Sequence, residues 1–193
     1  MLEKCFAAWK TRMVAMMEHM SGLREEIKEM GGLGDNVGIT DQEKQQAYAL
    51  GYQFFQQKKY DKAMTVFEAL NVLDPLNVDF SKAIAVTLQA QDKPSDAAIQ
   101  FMITYFFHQD DLSLALHAGR CMVEAKGPLQ AYLVLRSIVE AKRYPETPAN
   151  IRFREMIMAM LEGLGPQVES MARAEEKNIG TAGEGQAAGE TGA

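Results

Sequence analysis

The chain has 193 residues, enough for one domain with a substantial core, and 47% of them are hydrophobic and 24% charged, the ordinary mix of a soluble globular protein. A net charge of -6 argues against a nucleic-acid partner, since that contact needs clustered Lys and Arg. The longest apolar run, Met156 to Leu161, has six residues, far short of the roughly 20 that a membrane-spanning helix needs.

Residues 1–30 open the chain with a 4-3 spacing of apolar residues: Leu2, Phe6, Trp9, Met13, Met16, Met20, Leu23, Ile27 and Met30. That pattern predicts a helix of roughly 44 Å at 1.5 Å per residue, carrying either a coiled-coil seam or a docking stripe. Ser21-Gly22 is expected to break it in two, because a mid-helix glycine costs about 1 kcal/mol. Two readings stay open: self-association through Leu2, Phe6, Trp9, Met13, Met16 and Met20, or packing against the rest of the same chain. Glu3, Glu18, Glu25 and Glu26 interrupt the segment, so no secretion signal is read in it. Residues 31–39 are rich in glycine but lack the G-x-G-x-x-G spacing of a phosphate loop, and a linker is expected.

From residue 40 the chain repeats. Gly51, Ala85 and Gly119 stand 34 residues apart, as do Ala63, Ala97 and Ala131, and Phe67, Phe101 and Leu135. Thirty-four residues is the period of the tetratricopeptide repeat, a pair of antiparallel helices whose small residues mark the close approach within the pair. Thr40 or Asp41 caps the first helix, and the repeats run 44–77, 78–111 and 112–145, with a turn near Lys58-Lys59. Pro94 and Pro128 stand where a second helix begins, a position that tolerates proline. A closing helix is expected from about Pro148 to Leu164, shielding the last pair. From Gly165 onward little remains to bury, and residues 165–193 are expected to be a disordered tail. The predicted fold is all-α: three repeats in a right-handed superhelical array, residues 40–164, with an N-terminal helical arm and a C-terminal cap.

A curved array offers a concave groove, suited to an extended peptide. Its expected lining is Tyr48, Tyr52 and Phe55 from the first repeat, Lys82, Val86 and Gln89 from the second, and Leu116, Arg120 and Val123 from the third. Catalytic spacing is absent: no Ser-His-Asp, Cys-His or paired-carboxylate arrangement can be argued. His19, His108 and His117 are scattered, and His117 with Cys121, at i and i+4, falls short of the three or four ligands of a zinc site. No metal or cofactor is expected. Cys5 and Cys121 show no redox spacing, which fits a reduced cytoplasmic setting. Thirteen methionines suit both core filling and a surface that accepts varied apolar partners.

The run from Tyr48 to Tyr60, continuing from Asp61 to Val72-Leu73-Asp74-Pro75, is similar to the class II chaperones of bacterial type III secretion, which escort hydrophobic translocator proteins. The second repeat departs from their pattern at Ile84-Ala85 and Leu88. The resemblance covers roughly residues 40–164. It implies a non-enzymatic, cytoplasmic protein, a homodimer when free, whose groove holds an extended translocator segment with spaced prolines, and it adds Tyr60 to the aromatic groove residues. Alternatives are a scaffold joining folded proteins, a chaperone for a needle subunit bound as a helix, and an enzyme with unrecognised spacing.

Overall fold

A computed structural model describes the backbone of residues 2–31 and 33–187, with side chains throughout these except at 2, 4, 5, 35 and 175–187. Every regular element among the described residues is a helix. The three repeats form as the 34-residue period requires: α3 (Asp41–Gln56) with α4 (Tyr60–Leu73), α5 (Val78–Ala90) with α6 (Pro94–Phe107), and α7 (Leu112–Glu124) with α8 (Pro128–Ala141). Ahead of them lie α1 (Leu2–Met30) and the single turn α2 (Leu33–Asn36), and behind them α9 (Pro148–Ala187).

Each pair begins and turns by the same local chemistry. The side chains of Thr40, Asn77 and Asp111 accept hydrogen bonds from the backbone N–H of Glu43, Asp79 and Ser113, satisfying donors left open at a helix start. Second helices lack such caps, and α6 and α8 start on proline instead. Between the helices of each pair, Lys58, Asp92 and Lys126 take left-handed backbone angles near φ +60°, which reverse the chain in three residues.

Within a pair the helices approach as closely as the small residues allow. A Cβ added to Gly51 would lie 2.6 Å from the Phe67 ring, and one added to Gly119 would lie 2.6 Å from Leu135. Ala85, Phe101 and Leu135 are fully buried at the equivalent contacts. The apolar interior divides in two. A smaller cluster joins Phe67 and Leu70 of α4 to Phe80 and Ile84 of α5, and a larger one spans α5 to α9 and takes in Met13 and Met17 of α1. Leu88 packs against both.

Two expectations about the flanks are corrected. α1 runs unbroken through Ser21-Gly22 because its neighbours hold that stretch. The Gln109 side-chain amide donates to the Met17 carbonyl at 2.8 Å and to Ser21 Oγ at 3.0 Å. The second correction concerns residues 165–193: the closing helix continues past Gly165-Pro166 to Ala187, and residues 188–193 lie outside the described residues. Proline removes one backbone donor, but Leu164 and Val168 on either side are buried and carry the apolar face onward. The glycine-rich linker is also partly structured. Gly31 and Gly38 take positive φ on either side of α2, and Gly34 rests against the Leu73 backbone at the end of α4.

Candidate functional site

α1 lies along α6 and α8, and this decides which of its residues are free. Phe6 and Met13 are buried, Met20 packs on the larger core, and Met17, absent from the expected set, is fully buried. The Arg136 guanidinium covers the Phe6 ring at 3.9 Å and pairs with Glu3 at 2.9 Å. Lys10–Glu140 and Arg143–Glu18 ion pairs continue the same edge. The apolar stripe thus serves the chain's own core at Phe6 and Met13, while Trp9 and Met16, the latter 50% exposed, face outward. The Leu2 side chain lies outside the described residues.

The four expected aromatics of the first repeat come together. Tyr48 packs between Phe67 and Phe80, with ring centroids at 5.5 and 5.7 Å. Tyr52, 50% exposed, stacks on Phe55 at 6.4 Å, and Phe55 meets Tyr60 at 5.5 Å. Burial, with Asp79 and Tyr52 nearby, pushes the Tyr48 phenol above its usual pKa, so it stays a neutral hydrogen-bonding group. Tyr48 is therefore a wall tied to the core, and Tyr52 is the open surface beside it.

The second- and third-repeat candidates separate. Val86 is exposed, Gln89 and Val123 are half-buried, and Arg120 is exposed. Lys82 is bound to Asp111 at 2.6 Å, the same carboxylate that caps α7. Burial alone would raise the Asp111 carboxyl, but hydrogen bonds from Lys82 and Ser113 hold it below the usual range. Leu116 does not belong to an open groove: only 3% exposed, it lies in the larger core cluster. α7 is packed by α6, α8 and α9 together, and that enclosure buries a position which the period alone places on a free face.

Sequence reasoning passed over two features. A cleft of about 540 Å³ opens between the first turns of α3 and α5, where Tyr48 and Phe80 meet Asp41, Lys44, Asp74 and Asp79. Asp41 and Asp79 stand in helix first turns, where carboxylates suit the helix dipole, while Asp74 ends α4, so in sequence the three read as helix-end residues. The other is Asn150, which is buried. Its side chain accepts from the Leu112 N–H at 3.1 Å and donates to the carbonyls of Asp110 at 2.7 Å and Pro145 at 3.0 Å. It fastens the start of α9 to the start of α7.

Other reactive groups stay apart. Burial first, then Glu124, pushes the Cys121 thiol up to about 11, which keeps it an unreactive thiol at neutral pH. His117 stacks on Phe101 at 5.2 Å. Among the described residues no three His, Cys, Asp or Glu side chains gather as a metal site, and no helix is long and apolar enough to cross a membrane.

Known proteins share this architecture. A tetratricopeptide-repeat family model matches residues 46–77. The type III secretion translocator chaperone SycD of Yersinia enterocolitica is 22% identical, with a TM-score of 0.58 over 69% of this chain and 98% of that one. A T3SS complex from Aeromonas hydrophila is 19% identical, with a TM-score of 0.63 over 77% and 97%. PcrH of Pseudomonas aeruginosa, solved with the chaperone-binding region of PopD, is 22% identical, with a TM-score of 0.56 over 67% and 96%.

Proposed function

We propose that this protein is a non-enzymatic chaperone of the cytoplasm that holds a hydrophobic type III secretion translocator by an extended segment in the concave face of its repeats. The observation that carries the reading is the half-exposed aromatic ladder Tyr52–Phe55–Tyr60, set beside the Tyr48 cleft on a fold shared with translocator chaperones. Aromatic rings offer large contact area at low conformational cost, and such groups dominate binding where they anchor in pockets. A translocator with membrane-spanning segments exposes apolar surface that would associate in water. Covering one segment keeps it apart without chemistry or nucleotide, so the mechanism is stoichiometric binding.

The test is affinity co-purification from the native host with mass spectrometry of the bound proteins, using the full chain and a Tyr48→Ala, Tyr52→Ala variant. A large secreted protein with membrane-spanning segments is expected on the parent. The variant should lose at least tenfold of it while keeping its helical content by circular dichroism. Recovery of only folded proteins or a small needle-type subunit would overturn the translocator reading. Full retention by the variant would move the site off the aromatic ladder.

A further inference from the structure

The 34-residue period lets equivalent positions on the first helices of the three pairs be compared directly, and they sort by exposure. Tyr52, Val86 and Arg120 stand 34 apart and all three are exposed, whereas Phe55, Gln89 and Val123 are all half-buried. Tyr48, Lys82 and Leu116 make a third row, and each of them is engaged within the chain. The Tyr48 ring meets Phe80 in the first turn of α5 at 5.7 Å. Lys82 reaches Asp111, the residue that caps α7, at 2.6 Å. Leu116 is buried in the larger core. In the first two repeats this row therefore reaches forward to the start of the next repeat.

The Lys82 tie is fixed at its far end. The Asp111 carboxylate accepts from the N–H and the hydroxyl of Ser113. Its neighbours on both sides are bound by Asn150, through the Asp110 carbonyl and the Leu112 N–H. A lysine seated on Asp111 is thus anchored to a turn that the start of α9 holds from behind. α5 and α7 each pack on α6, and the Lys82–Asp111 pair joins α5 directly to the start of α7.

We propose that Lys82 is a positioning residue of the groove: paired with Asp111, it fixes where the start of α7 stands relative to α5, while the bound segment meets the exposed row of Tyr52, Val86 and Arg120. This rests on the groove reading above. A surface whose parts are already held in place loses less freedom when a partner binds, and the saving appears as affinity. Lys82 then acts on the bound segment through geometry, so its effect does not depend on that segment carrying a negative charge.

The test uses the full-length protein and fluorescence anisotropy with two synthetic peptides. One is an uncharged peptide of prolines and leucines, and the other is the same peptide with one leucine replaced by aspartate. Affinities are measured at a temperature where circular dichroism shows every variant fully folded. Lys82→Met and Asp111→Asn each break the pair, and asparagine keeps the helix cap. Each should weaken both peptides alike, about threefold, the scale of a part-exposed ion pair. The double variant should lose no more than either single one, as coupled partners do, whereas the loss from Val86→Ser should multiply with each. Lys82→Arg, which keeps the charge, should bind like the parent. A loss confined to the aspartate peptide would make Lys82 a direct contact and overturn the proposal. Unchanged affinity in both single variants, losses that multiply in the double, or a Lys82→Arg variant as weak as Lys82→Met would overturn it too, and all of these leave the groove standing. Binding of neither peptide by the parent protein would overturn the groove reading, and this inference with it.

Discussion

The first repeat and the two behind it are built alike but braced differently. α6 and α8 are packed by α1, α7 and α8 by α9, and one continuous core runs through them and α5. α3 and α4 have their own smaller cluster, joined to the rest through α5, and the short α2 resting on α4. The open aromatics Tyr52, Phe55 and Tyr60 all belong to the lightly braced repeat. The proposed binding surface and the mass that keeps the fold are thus largely separate, and local stability should differ accordingly.

The sharpest way to break that contrast is to empty the same contact in both regions. Phe67→Ala and Phe101→Ala each remove a buried ring, at about 3–5 kcal/mol. Phe101→Ala should lower the main thermal transition of the whole chain. Phe67→Ala should release α3 and α4 while α6 to α8 keep their amide protection, read by hydrogen exchange. Uniform loss of protection in both variants would mean that the first repeat is not a separable unit.

A smaller effect comes from the paired glycines. Gly119→Ala pushes a methyl into Leu135 on α8, which α1 and α9 both hold. Gly51→Ala recreates in the first repeat the Ala/Phe pairing that Ala85 and Phe101 already use. Overpacking costs about 1–3 kcal/mol, and alanine returns up to about 1 kcal/mol of helix propensity. The expected net loss is about 2 kcal/mol for Gly119→Ala and about half of that for Gly51→Ala, by denaturant unfolding. Equal losses would show that the first repeat is as rigid as the third.

The period, the small-residue contacts and the proline-started helices were legible because each is a local demand: a glycine where helices touch, a proline where no donor is needed. The aromatic set of the first repeat was legible for the same reason, lying on one face of one helix and its turn. Leu116, Met17 and Asn150 were not. Leu116 is enclosed and Met17 selected over Met16 by elements distant in sequence. Asn150 bonds across 38 and 40 residues, a distance that no window along the chain can see. The composition shift at Gly165 misled in the other direction, because the helix is carried on by Leu164 and Val168, which are buried on either side of Gly165-Pro166.

The smallest expected effect is on acid response. His108 and His117 both lie in the braced half, and burial first of all holds each below its usual pKa. A depressed histidine means that the unfolded chain takes up protons which the folded chain refuses, so stability falls as pH drops through about 6.5. Between pH 7.5 and 5.5 the main transition should move down, and a His108→Gln, His117→Gln variant should flatten the change. Carboxylates held low, such as Asp111 and Glu140, act only at more acid pH. An unchanged slope in the variant would assign the response to other groups.

The seat of α1 also sets an order of events at the ribosome. Glu3 meets Arg136 across 133 residues and Glu18 meets Arg143 across 125, so α1 is made well before its resting place is translated. The first repeat closes on neighbours a few tens of residues away and can form while synthesis continues. Phe6, Met13 and Met17 must wait with their apolar edge uncovered until α8 has left the exit tunnel. Translation speed through the third repeat therefore sets how long that edge stays available to anything else.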